Sequence, residues 1–224
     1  MNWYPSSKKE LSEMLSGFVE KSKAKKINGI IVPHAGYEFS GKVAGKAYSL
    51  AKGVKSAVVF GPSHYEYFRG IKCLKSAKTP LGNLDSIKNG FEKIDYEHSV
   101  QNQLPFLKFI GIKKVLPLVV GDLSMEEARK IAEQFKEFDG LFVFSTDLSH
   151  FLDYDTARKT DTNSINKIIA LDPKWVDACG INALKIFFEL AKIKKYKPKL
   201  IEYKNSGDVV GSRESVVGYA AFSF

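Results

Sequence analysis

Three of the four histidines in this 224-residue chain follow short apolar runs: His34 after INGIIVP, His64 after SAVVFGPS and His150 after LFVFSTDLS. Such runs are the pattern of strands buried on both faces of a parallel sheet. In open sheets of that kind, ligands bind in the crevice beyond the carboxyl ends of the strands. The spacing therefore predicts that His34, His64 and His150 converge on one site. Imidazole is the commonest metal ligand and the usual acid/base group near neutral pH. The pattern points to a metal site or an acid/base enzyme.

Other groups with chemistry stand close to these histidines or in similar turns. Pro33-His34-Ala35-Gly36-Tyr37 and Gly61-Pro62-Ser63-His64-Tyr65 repeat one design on two strands, and Gly36 lets the backbone approach a ligand closely. Asp147 precedes His150 by three residues and suits either ligation or the orientation of an imidazole. Glu97-His98-Ser99 opens a helical pattern. Glu97 there is either a first-turn partner of the helix dipole or a site residue, and spacing alone does not bring the helix to the site. Cys179 lies between two helical patterns. A thiolate is a soft ligand for zinc, copper(I) or iron, and a lone cysteine is also an ordinary buried residue. Cys73 sits in an apolar strand and reads as core. The chain has no Walker loop, GxGxxG, CxxC or nucleophile elbow, so ATPase, Rossmann dehydrogenase, zinc-ribbon and α/β-hydrolase readings lose their markers.

The elements that must position these residues alternate. Helical spacing runs over 6–21, followed by a strand at 28–33. A helix then carries Val43, Ala44, Ala47 and Tyr48, with Ser40 as its cap and Gly53 closing it. Ser56 to Phe60 is the second strand, giving a βαβ unit and a parallel pair. Further strands are expected at 69–76, 113–120 and 140–146, and Pro117 predicts an irregular or edge position for the second of these. Helices are expected at 97–110, broken at Pro105, at 124–137 behind a Ser124/Glu127 capping box, and at 155–170, 173–178 and 180–192. Strands near 198–205 and 215–223 finish the chain and suit an antiparallel hairpin. The expected fold is one α/β domain over 1–224, with a mostly parallel, mixed sheet and helices on both faces.

Composition is that of a globular protein, 44% hydrophobic and 26% charged. Two cysteines are too few for a disulfide framework, and the first residues lack an apolar leader, so a cytoplasmic location is expected. No segment approaches the ~20 apolar residues of a membrane span. The net charge is +9, with basic runs at 21–26 and 192–199. No basic helix with interleaved aromatics accompanies them, which argues against nucleic acid as a partner. A solvated Lys-rich surface accounts for the charge, and it would attract anions.

Six stretches together resemble the Memo family: PHAGYEFSGKVAGKAY (33–48), GPSHY (61–65), EHSVQNQLPFL (97–107), FSTDLSH (144–150), ACG (178–180) and VVGYAA (216–221). The resemblance covers nearly the whole chain and implies a fold similar to class III extradiol dioxygenases, which are non-haem Fe(II) enzymes. It implies a metal triad of His34, His64 and Cys179, with Asp147, His150 and His98 beside it. Two histidines and a thiolate are softer than the two-His-one-carboxylate triad and admit copper or zinc more readily than it does. The implied chemistry is redox at Fe(II) or copper on a diol-like or aromatic small molecule. His150 and His98 would exchange protons, Asp147 would orient His150, and Tyr37 and Tyr65 would bond the substrate. Alternatives are a zinc-dependent hydrolase and a non-catalytic adaptor that binds a short peptide or copper. Partnership with a radical-SAM enzyme is a further implication. Glu38 and Phe39 depart from the small or polar residues expected after Tyr37 and put substrate shape in question.

Overall fold

Local signals start and stop most of the elements. The computed structural model describes residues 3–20, 27–51 and 53–224, so the basic run at 21–26 lies outside the described residues. Ser7 caps α1 (Lys8–Phe18), which is followed by β1 (Gly29–Val32), α2 (Tyr37–Tyr48) and β2 (Ser56–Pro62). Next come β3 (Ile71–Leu74), β4 (Asp85–Ser86), β5 (Lys93–Ile94), α3 (His98–Gln101) and α4 (Leu104–Phe109). β6 (Lys114–Val120) leads to α5 (Met125–Phe135), where the Ser124/Glu127 capping box forms as expected. β7 (Leu141–Ser145), β8 (His150–Leu152), α6 (Tyr154–Ile169) and α7 (Ile181–Lys194) follow, and β9 (Lys199–Asn205), α8 (Ser206–Val210) and β10 (Val216–Ser223) close the chain.

One mixed sheet carries the strands in the order β5-β3-β6-β2-β7-β1-β10-β8, with β4 on β6 and β9 on β10. The central run β6-β2-β7-β1 is parallel. Its side chains alternate between two cores. Ile30, Val32, Ala57, Val59 and Val143 pack under α1, α2 and α4. Ile31, Val58, Phe60, Phe142 and Phe144 pack under α5, α6 and α7. Burial on both faces is why these strands lack a polar alternation. The last two strands are antiparallel, as the hairpin reading expected. Among the described residues no helix is long and apolar enough to cross a membrane.

The structure corrects several local expectations. Ser40 does not cap α2. That helix starts at Tyr37 behind Gly36, and the Ser40 hydroxyl donates to the Ala35 carbonyl from inside the first turn. Gly53 lies beyond the helix end, in a turn at φ +84°. Residues 173–178 form an irregular stretch with one turn at 174–175, not a helix. Asp172 Oδ1 accepts the Lys174 N–H, and Trp175 is in the left-handed region at φ 63°, which no α-helix continues through. For Pro117 the irregular alternative holds, although its strand is interior to the sheet. Its nitrogen faces the same flank as the Val115 carbonyl, which accepts from Ile87. On that flank β4 pairs with Lys114 and Val115 and β3 pairs with residues 118–120. Proline therefore falls in the gap between two partners, where its missing N–H costs no ladder bond.

Candidate metal centre

His34 follows β1 by two residues, His64 follows β2 by two and Asp147 follows β7 by two. These strands are parallel neighbours in the order β2-β7-β1, so the three residues emerge at one sheet edge. α3 closes over that edge. Ser99 donates to the Pro62 carbonyl at 2.7 Å, and Asn102 Nδ2 donates to the His34 carbonyl at 2.7 Å. His98 thereby joins the cluster. Donor atoms of His34, His64 and His98 all lie within 4.8 Å of one another.

Hydrogen bonds behind two of the rings fix which nitrogen faces the cavity. The Ser145 hydroxyl donates its one hydrogen to the Ser99 carbonyl at 2.6 Å and accepts from Gln103 Nε2 at 2.9 Å. It can therefore only accept from His34 Nδ1, 3.0 Å away. The His34 proton sits on Nδ1, and Nε2 keeps its lone pair. His64 Nδ1 lies 3.0 Å from Glu97 Oε1, and the His64 N–H donates to Glu97 Oε2 at 2.6 Å. A carboxylate only accepts, so Nδ1 carries a proton and the neutral His64 ring has its lone pair on Nε2. Burial raises the Glu97 pKa, but the His64 and His98 rings and the His64 and Ser99 N–H groups override it and hold the carboxyl well below its usual range. Burial, then the neighbouring His64 and His98 rings, hold His34 well below the usual imidazole value, so it is neutral at pH 7. This is the form a metal needs.

Cys179 approaches from the other side of Asp147. Its Sγ is 3.4 Å from His34 Nε2 and accepts the Asp147 N–H at 3.3 Å. Gly180 permits that approach. A Cβ there would stand 2.6 Å from Thr146 Cβ and 2.7 Å from the Ser145 carbonyl. Burial, then the Asp147 carboxylate, push the thiol well above its usual pKa, so without a cation beside it the group is protonated.

His34, His64, His98, Asp147 and His150 line one cavity of about 480 Å³. Cys179 lines a second, of about 250 Å³, with Glu66 and Asp122. His98 stacks on Trp3, with ring centroids 4.2 Å apart and planes at 7°. Its Nδ1 is 3.1 Å from Glu97 Oε1 but off the line of a hydrogen bond, and it has no other partner among the described residues. Asp147 is not bonded to His150. Its Oδ1 accepts the His34 N–H at 2.8 Å, and its Oδ2 is 3.9 Å from His34 Nε2. Tyr37 lies behind the cavity wall, with its hydroxyl donated to the Asn102 carbonyl at 2.6 Å, so that proton is not free for a substrate. Tyr65 stands 54% exposed on the rim, 5.5 Å from the His98 ring.

A family model described as Memo-like protein matches residues 2–223. The chain belongs to the Memo family. Relatives carrying the name MEMO1 family protein include one from Methanosarcina acetivorans, 32% identical over 95% of this chain and 91% of its own length. One from Aquifex aeolicus is 32% identical over 99% and 96%. One from Archaeoglobus fulgidus is 28% identical over 100% and 96%. In this Memo-family chain the three histidines form a possible metal site.

Sequence reasoning missed the residues that hold the site from behind. Ser145 had a weak signal, as the polar last residue of an apolar strand. Asp161 had none. It is fully buried on α6, its Oδ1 accepts the Ser149 N–H at 3.0 Å, and its Oδ2 accepts from the Tyr203 hydroxyl at 2.8 Å. Any Cβ on Gly218 would collide with this carboxylate. Gly218 in turn accepts from the Leu148 N–H and donates to the Ser149 carbonyl. Asp161 and Gly218 together lock the stretch between Asp147 and His150.

Proposed function

We propose that this Memo-family protein holds Fe(II) or copper through His34, His64 and Cys179 and carries out oxygenase-type redox chemistry on a small diol-like or aromatic molecule. The observation that carries the proposal is the donor arrangement. Ser145 and Glu97 bond the Nδ1 side of two rings whose donor atoms lie within 4.8 Å of each other, and Cys179 Sγ stands 3.4 Å from His34 Nε2. Ligands at ~2.0 and ~2.3 Å on one tetrahedral ion lie about 3.5 Å apart. The thiol and imidazole are thus already at the spacing of a ligand pair.

When bound, the metal would supply one-electron redox chemistry and polarise the substrate oxygens. The chain supplies the rest. Ser145 and Glu97 keep the ligand rings in the coordinating tautomer. His98 and His150 face the cavity, and among the described residues no ring hydrogen bond fixes either proton, which suits them to take a proton from a diol hydroxyl and return one to product. Asp147 fixes the His34 backbone and adds negative charge beside the cation. Trp3 and Phe39 restrict water at the wall.

The compact His34/His64/His98 set favours a second reading, three imidazoles and a water on zinc, which is a hydrolytic site. Metal analysis with EPR separates the two, on protein purified anaerobically without a His-tag and compared with His34→Ala, His98→Ala and Cys179→Ala. Stoichiometric iron or copper lost in His34→Ala and Cys179→Ala supports the redox site. Zinc lost in His98→Ala and kept in Cys179→Ala supports hydrolysis. No metal after reconstitution would overturn both and leave a binding protein.

A further inference from the structure

The large cavity runs against the charge of the protein that contains it. The chain has 34 lysines and arginines and a net charge of +9, yet no lysine or arginine is among the described residues that line this cavity. The carboxylates on its wall are Asp147 and Glu38, and no lysine or arginine of the wall offsets them. Asp147 is buried and bonded to the His34 N–H. Glu38 is different. It sits in the first turn of α2, exposed, and no ion pair or side-chain hydrogen bond engages it among the described residues. Lys42, one turn along the same helix, does not pair with it. Negative charge is favoured in the first turn of a helix. Around it the wall is aromatic, from Trp3, Phe39, Phe151 and Tyr219. Phe151 is held out at 77% exposure by a left-handed backbone, φ 60°.

We infer that the cavity selects a ligand with a flat apolar body and a cationic amine, Glu38 being the counter-charge, and discriminates against ligands that carry a carboxylate or phosphate. The inference rests on reading the cavity as the substrate site and deepens it. Aromatic walls take the flat body by stacking and area burial. A cation near Glu38 and the aromatic faces gains from both the carboxylate and the ring quadrupoles. An anion at the same place meets a like charge and no donor to replace its water. A metal held by the floor histidines would attract the diol oxygens, so the charge selection concerns the far end of the ligand.

Calorimetric titration of the metal-reconstituted protein tests this with three probes: catechol (uncharged), dopamine (amine) and dihydroxyphenylacetate (carboxylate). At low salt dopamine should bind up to about fivefold tighter than catechol, the scale of an exposed ion pair, and dihydroxyphenylacetate weaker than either. The amine's advantage should fall in Glu38→Gln, reverse in favour of the carboxylate in Glu38→Lys, and fade with added salt. Catechol itself should bind all three proteins alike, which also shows that the exposed substitutions leave the fold intact. Carboxylate binding as tight as the amine's, or an amine advantage unchanged in Glu38→Gln, would overturn the inference alone. Failure of catechol and both analogues to bind would overturn the diol reading and this inference with it.

Discussion

At the floor of the cavity, His34 and His64 each have a hydrogen-bonded partner on the ring nitrogen that faces away from the centre. At the mouth, Glu38 has no such partner among the described residues, and Phe151 stands in solvent on a left-handed backbone. The floor is built from the ends of parallel strands with α3 clamped over them, so its donors keep their places without a ligand. The mouth is built from the first turn of α2, the N-terminal segment and the short strand β8, where side chains can adjust to what enters. Metal chemistry needs ligands held to fractions of an ångström, and buried bonds supply that. Selection among substrates needs surface chemistry that can differ between relatives without disturbing the floor.

The largest break in this comparison should come from the floor. His34→Ala or His64→Ala should reduce bound metal from stoichiometric to background, read by elemental analysis after reconstitution. Retention of full occupancy in both would remove the floor as a metal site. Next in size, Glu97→Gln should weaken metal affinity by about 10- to 100-fold, because the amide no longer fixes the His64 tautomer. A competition titration with a chelator measures it, and an affinity equal to wild type would mean that Glu97 only caps α3. Asp161→Ala should lower stability by roughly 1–3 kcal/mol through the unpaired Ser149 N–H and Tyr203 hydroxyl. It should leave metal stoichiometry intact while shifting the His150 ring resonances in NMR spectra. Unchanged His150 signals would show that Asp161 supports β8 without setting the site. The smallest effect is expected far from both regions. Ser124→Ala should lower stability by about 1 kcal/mol through its lost cap, by denaturant unfolding, with metal affinity unaltered. A change in metal affinity there would argue that the floor is less independent of the distant helices than its hydrogen bonds imply.

Much of the frame was legible because burial on both faces of a parallel sheet leaves an unmistakable apolar run. The runs at 28–33, 56–60 and 140–146 became β1, β2 and β7, and the Ser124/Glu127 pair became a capping box. Pro117 marks an irregular position, as expected, whereas the helical spacing at 173–178 fails because its signal is local while the outcome is set elsewhere. The proline rule assumes a partner strand on both flanks, and only the register of β3 and β4 reveals the gap. The helical spacing at 173–178 loses to the left-handed backbone of Trp175, through which no α-helix continues.

The sequence by itself determined that histidines would gather at strand ends, since strand identity follows from a periodicity that any window of the chain displays. It also determined the family, through motifs in a fixed order. Only the tertiary structure decided that α3 lies over the strand ends, that Ser145 and Glu97 turn two imidazoles into free donors, and that Asp161 holds the stretch before His150. It also decided that Tyr37 faces the Asn102 carbonyl and that, among the described residues, no cation accompanies Glu38. These are contacts between residues tens of positions apart, such as His34 with Ser145 and His64 with Glu97. No local pattern encodes them, because the hydrogen-bond partner of a buried group depends on which elements the fold packs against it.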